Sequence, residues 1–166
     1  FGLNHLSSGA DLSLYFEFLN NWTTLTSLSF TSQKLDTRIL RGGNAMILPS
    51  EWSGSIYIRT DPSTKFLADL NFQYSKANEN RFENYYLQPG ITLQPMNTLK
   101  ISFSLNFYKN RDELQFIENK KINEDVKYIL GEINQKNFGA TFRFDYNITS
   151  ELSIQYYGSP FVSIGK

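Results

Sequence analysis

The chain has no cysteine, a single histidine (His5), five prolines and two tryptophans in 166 residues. The missing cysteine excludes disulfides and thiolate metal sites, and leaves the redox compartment open. One histidine excludes a metal centre of clustered imidazoles. An excess of either charge is missing too: Lys+Arg and Asp+Glu both total 16. That balance argues against a nucleic-acid partner, which leaves a basic footprint. Charged residues are 19% of the chain, below the ~25% of ordinary soluble domains. No run approaches the ~18 apolar residues of a membrane-spanning helix. No segment carries an apolar stripe at helical spacing. No leader is recognisable at Phe1. A removed leader or a start inside a longer protein explains this, and the second is the expectation.

Aromatic residues reach 16%, yet mean hydropathy is below zero. Period-two alternation reconciles the two, because it puts greasy and polar residues on opposite faces of a strand. Leu12, Leu14, Phe16 and Phe18 alternate with Ser13, Tyr15 and Glu17. Trp22, Leu28 and Phe30 oppose Thr23, Ser27 and Ser29. Trp52, Ile56 and Ile58 oppose Ser53, Ser55 and Arg59. The later runs are cleaner: Phe66–Tyr74, Tyr85–Leu93, Leu99–Phe107, Phe138–Tyr146 and Leu152–Tyr156. About eight antiparallel strands are predicted, mostly of roughly 9–11 residues, the length a tilted strand needs to cross a bilayer.

Short turns are predicted at Asn20-Asn21, Asp61–Thr64, Gln94–Asn97 and Asn147–Ser150, where Pro and Asx residues favour them. Longer connections are predicted over 31–50, 75–81 and 109–135. The two kinds alternate, so all short turns fall at one end and all long loops at the other, as in outer-membrane barrels. Trp22 and Tyr146 beside short turns, with Trp52, Tyr74 and Tyr108 beside long loops, suit two aromatic girdles. The expected fold is therefore all-β, an antiparallel up-and-down transmembrane β-barrel. Residues 1–166 would form one segment of a larger barrel in a bacterial outer membrane. If the apolar face meets lipid, Glu17, Arg59, Lys65, Asp69, Asn71, Lys100, Arg143 and Asp145 point into the lumen. There they either line a channel or pair with one another. The competing reading is a soluble antiparallel sandwich or barrel that binds sugars or a partner protein through loop aromatics. Pro89 falls inside a predicted strand, where a bulge with Gly90 is expected to absorb it.

Several segments, in order, also resemble a known domain. They are Arg41-Gly42-Gly43 with Met46 and Pro49; Thr60-Asp61-Pro62; Gln88-Pro89-Gly90-Ile91-Thr92-Leu93-Gln94-Pro95; Arg111–Phe116; Tyr128–Lys136; and Leu152–Phe161. From about Arg38 to Lys166 the chain resembles the C-terminal outer-membrane barrel domain of unknown function that follows a family 9-like carbohydrate-binding domain in certain bacterial envelope proteins. Asn44 departs from that pattern, in which proline follows the paired glycines. Such domains also continue past the Pro160-Phe161 segment and carry upstream strands. The resemblance thus implies a piece of a larger barrel, linked to glycan capture through a domain not in this sequence.

No chemistry-bearing constellation stands out. His5 alone does not define a triad. The acids of Glu118–Asp125 are interrupted by Lys120 and Lys121, lack EF-hand spacing, and read as a solvated turn. Gly42-Gly43 lacks a strand–glycine–helix context and reads as a fold-back needing positive φ. The expectation is a non-enzyme with no cofactor and no metal. Outer-membrane lipid is its expected partner, with oligosaccharides or another envelope protein as further candidates.

Overall fold

The computed structural model describes residues 6–122 and 125–166. Its strands are β1 (Gly9–Glu17), β2 (Thr23–Thr31), β3 (Lys34–Asp36), β4 (Met46–Leu48), β5 (Glu51–Arg59), β6 (Phe66–Ala77), β7 (Phe82–Met96), β8 (Leu99–Ile122), β9 (Asp125–Asn147), β10 (Ser153–Gly158) and β11 (Phe161–Gly165). One antiparallel sheet runs β1-β2-β5-β6-β7-β8-β9-β10, with β11 continuing β10 along β9. β3 and β4 form a separate small hairpin inside the β2–β5 connection. The predicted all-β up-and-down order is therefore present.

The sheet is open. β1 pairs only with β2, and β10 and β11 only with β9. Curling a sheet shut takes bulges or glycine kinks. Here the register shifts fall only in the β7–β8 and β8–β9 pairings, and the ladders from β1 to β7 run without one.

A single sheet has two faces and no interior. Ala77, 4% exposed, is the one buried apolar residue among those described, while Leu14, Phe66, Phe103, Phe142 and Ile154 lie open. Such a sheet cannot hold itself together by hydrophobic burial, the dominant favourable term in folding.

Four expectations on connections need correction, one of them the Gln94–Asn97 turn, which narrows to 97–98 because β7 runs on to Met96. Residues 109–135 form no loop: β8 and β9 stay paired out to Ile122↔Asp125, far beyond the start of β7 at Phe82↔Asp112. Register shifts between Asp112 and Gln115 and between Phe116 and Glu118 break the period-two pattern there and hide the strand residues Phe116, Ile117, Tyr128 and Ile129. The solvated turn expected at Glu118–Asp125 is likewise the tip of this hairpin, with 123–124 outside the described residues. The 75–81 connection shrinks to a short turn over 78–81. Ser75 and Lys76 pair with Ser53 and Trp52, while Glu79 (φ 61°) and Asn80 (φ 56°) reverse the chain. The two ends still differ, but through the projecting hairpin and the β2–β5 connection instead of three long loops. Here the loop end is the one carrying them, and the turn end carries 18–22, 60–65, 97–98 and 148–152.

Pro89 is not bulged. The ladder to β6 runs through it (Leu70↔Pro89), and that to β8 skips Gln88 and Pro89 without changing register. Proline has no N–H for that ladder, and the register shift falls instead between Leu93 and Met96, across Gln94-Pro95.

Candidate functional site

Cross-strand register defines a continuous polar face. One row reads Glu17–Thr23–Arg59–Asp69–Gly90–Ser104–Thr141. Another reads Tyr57–Asn71–Gln88, and further rows read Thr92–Ser102–Arg143–Tyr157 and Lys100–Asp145–Gln155. Seven of the predicted lumen residues (Glu17, Arg59, Asp69, Asn71, Lys100, Arg143, Asp145) thus share one face. Lys65 does not belong to a strand: it ends the 60–65 turn, and its carbonyl accepts from the Gln94 N–H at 2.7 Å.

Few of these charges neutralise one another. Arg143 Nε donates to Asp145 Oδ2 at 2.9 Å. Arg59 stands opposite Asp69, yet its Nε is buried without a hydrogen-bond partner, as is Asp145 Oδ1. Asp69 lies instead over Gly90, where an added Cβ would sit 2.9 Å from Oδ2. Gly90 is therefore glycine because the carboxylate occupies the space a side chain would need.

Beyond these, Asp11, Glu51 and Asp112 also share the face, and the rest of it is mostly uncharged and laced by short polar contacts. Tyr86 Oη donates to Gln88 Oε1 at 2.7 Å, Ser163 Oγ donates to Asn137 Oδ1 at 2.6 Å, and the Thr92 and Ser102 hydroxyls meet at 3.0 Å. An open hollow of about 390 Å³ lies among Asn106, Tyr108, Gln135, Asn137 and Phe161. Tyr108, expected at a strand end in a girdle, is in mid-strand on this polar face, opposite Tyr86 and Asn137. Sequence reasoning put Tyr86 on the polar side of its strand but named neither it nor Tyr57 and Tyr157 as a lumen candidate, although the parity of Tyr57 and Tyr157 with Asn71 and Arg143 was readable.

At the loop end the β2–β5 connection folds over the polar face. Lys34, Ile39, Leu48 and Pro49 enclose a cavity of about 260 Å³ with Glu51, Ala77, Phe82 and Asp112. Farther along, the Arg41 guanidinium lies 5.3 Å from the Phe116 ring centroid, and a Cβ at Gly43 would run into the Tyr128 ring. Gly42 has the expected positive φ, 102°, and Arg41 shares the left-handed region at 47°. Gly43 is needed for closeness instead. Asp36 accepts the Arg38 and Ile39 N–H groups at 2.7 and 3.0 Å. The Arg38 bond is the main reason its carboxyl lies below the usual range. An ion network closes this end: Arg81 to Glu113 at 3.3 Å, and Arg111 to Glu113 at 2.7 Å and to Glu132 at 2.8 Å. His5 lies outside the described residues.

The opposite face is an apolar band. On β6 and β7 it runs Phe66–Tyr74 and Tyr85–Leu93, and on β8 and β9 Leu99–Phe107 and Phe138–Tyr146. Each stretch is about nine residues, ~26–27 Å along the strand. Toward the loop end Lys76, Lys109, Arg111 and Lys136 terminate it. Aromatic pairs knit it together: Phe30–Trp52 at 4.6 Å, Tyr74–Tyr85 at 4.7 Å and Phe107–Phe138 at 4.9 Å between centroids.

A family profile described as "Domain of unknown function (DUF5916)" matches residues 4–163. No curated protein and no solved structure matches the chain.

Proposed function

The chain belongs to the DUF5916 family of domains of unknown function, and on that premise we propose that it forms part of the wall of a bacterial outer-membrane β-barrel, porin-like or anchoring, with the apolar face toward lipid and the polar face toward a lumen. The observation that carries this reading is a sheet with a continuous apolar face and no buried core among the described residues. Burying that face against acyl chains supplies what a missing core cannot. The polar face, with its unpaired Arg59 Nε and its amide and tyrosine side chains, suits a wet interior, where water satisfies what the protein leaves open. The reading assigns this face passage or anchoring, not catalysis. Neutral oligosaccharides or another envelope protein are the further partners it accommodates.

Spin labels test the orientation. Labels at Phe103 and Phe142 in vesicle-reconstituted protein should relax with lipid-soluble oxygen, and labels at Ser102 and Arg143 with an aqueous nickel chelate. The reverse pattern, or a stable detergent-free monomer with Phe103 and Phe142 shielded from both, would favour the soluble sandwich and sink the reading.

A further inference from the structure

Two lysines stand on the apolar face without an ion-pair partner among the described residues, although Glu83 lies within electrostatic reach of Lys109. In the row Tyr74–Tyr85–Lys109–Lys136–Ile164, Lys109 and Lys136 are directly opposite each other. Like charges so placed repel. Glu83, one row farther toward the loop end, accepts the hydroxyls of Tyr74 and Tyr85 at 3.1 and 2.9 Å. Glu113 and Glu132 are taken by Arg111. Lys109 Nζ rests 5.4 Å from the Tyr85 ring centroid, a weak attraction that leaves its donors free.

The next row toward the turn end is wholly apolar: Phe72–Leu87–Phe107–Phe138–Val162. Between the two rows lies a groove of about 500 Å³, lined by Phe107, Phe138, Val162, Ile164, Lys109 and Lys136 among others. An apolar trough ending in two ammonium groups that no ion pair holds is complementary to an amphiphile with an anionic head.

We propose that this groove is a binding site for an anionic lipid, whose acyl chain lies over Phe107, Phe138 and Val162 and whose phosphate bridges Lys109 and Lys136. The phosphate removes the repulsion between the lysines, and the acyl chain removes the rings from water. Free phosphate would gain only the first of these. The proposal deepens the barrel-wall reading and rests on it for the presence of lipid at this face.

The test uses vesicle-reconstituted chain carrying Val162→Trp with Trp22→Phe and Trp52→Phe, so that one indole reports on the groove. Brominated phosphatidylglycerol should quench it with about thirtyfold higher relative affinity than brominated phosphatidylcholine, the preference that two lysines near a membrane surface provide. Adding inorganic phosphate should leave that preference in place. Lys109→Gln with Lys136→Gln should equalise the two lipids while phosphatidylcholine still quenches, and Lys109→Arg with Lys136→Arg should retain the preference. Equal quenching by both lipids in the lysine-bearing protein would overturn the site and leave the barrel wall standing. Displacement by phosphate alone would overturn the lipid as its occupant. No quenching by either lipid would remove the wall reading and the site together.

Discussion

Phe103 and Ser102 are neighbours in sequence and face opposite ways, so an arginine at each measures what each face meets. Phe103 sits at the middle of the β8 band, between Ile91 and Phe142, and is 39% exposed. Band ends at Leu99 and Phe107 lie about four residues away, ~14 Å along the strand and ~10 Å in depth at a tilt of about 40°. An arginine that deep on a lipid-facing position costs about 2–4 kcal/mol, or ~30- to 1000-fold in the folding equilibrium. Ser102 faces Thr92 and Arg143, where an arginine meets water and one like charge, at a cost of at most about 1 kcal/mol. Urea titrations of folding into phospholipid vesicles should therefore show a large loss for Phe103→Arg and a small one for Ser102→Arg. The loss should shrink toward ~0–1 kcal/mol when the arginine moves to Phe107, beside Lys109. It should also grow with acyl-chain length, because a thicker bilayer puts Phe103 farther from water. A sandwich core would penalise Phe103→Arg as well, but without regard to the lipid. An equal loss at Ser102, or one independent of bilayer thickness, would refute the argument.

Gly90→Ala should destabilise by about 1 kcal/mol, because the new Cβ must displace the Asp69 carboxylate 2.9 Å away. The same change on an Asp69→Ala background should cost almost nothing, and equal costs in a double-mutant cycle would show that Asp69 is not the obstacle. Asp61 accepts hydrogen bonds from the Ser63 hydroxyl, the Ser63 N–H and the Asn21 amide, in that order of effect, which hold its carboxyl below 3.8. A carboxyl with a depressed folded-state value stabilises fully above its unfolded value, and the contribution fades as pH falls through the folded one. Its carbon-13 titration should thus have a midpoint under 3.8, and Asp61→Asn should flatten the acid limb of stability below that pH. Arg41→Ala should raise hydrogen exchange across 34–48, since one cation–π contact of ~0.5–1 kcal/mol tethers that segment to Phe116. Exchange unchanged by Arg41→Ala and by Gly43→Ala alike would mean that the connection is held elsewhere.

Much of the fold was legible because alternation survives wherever strands pair without bulges. The runs around Phe72, Phe103 and Phe142 predicted both faces, and seven lumen candidates fell on one of them. The hairpin beyond Asp112 was not legible, since two register shifts reset the parity there and its charges resemble those of a loop. Lys65 was misplaced because parity runs on past the end of a strand and cannot mark where the turn takes over. Tyr108 was misread because tyrosine suits a girdle and a polar wall equally well, so only its register against Tyr86 assigns it. The lysine pair was invisible for a different reason. Lys109 and Lys136 are distant in sequence, and only the register of β8 on β9 makes them neighbours.

The outline of the apolar band bears on the choice between lipid and a covering protein layer. On β5 the band reaches Trp52, but Lys76 occupies the same row on β6. There it stops one row lower, at Tyr74, and Tyr85 matches it on β7. On β8 the Tyr85 row is taken by Lys109, and on β9 by Lys136, so the band stops another row lower at Phe107 and Phe138. From β5 to β8 the border thus falls by about four residues, ~13–14 Å along the strands, across three strand spacings of ~4.8 Å each. That slope is about 45°, close to the ~35–45° tilt of strands in outer-membrane barrels. A slab of constant thickness crossing tilted strands must cut them along such a diagonal, whereas a packed protein layer follows the outline of whatever side chains it meets. Lipid also sets a condition that the described sheet does not yet meet. The outer edges of β1 and of β10–β11 carry unpaired N–H and C=O groups, and in hydrocarbon each costs several kcal/mol. If the diagonal marks a bilayer, both edges must be paired there, with each other or with further strands.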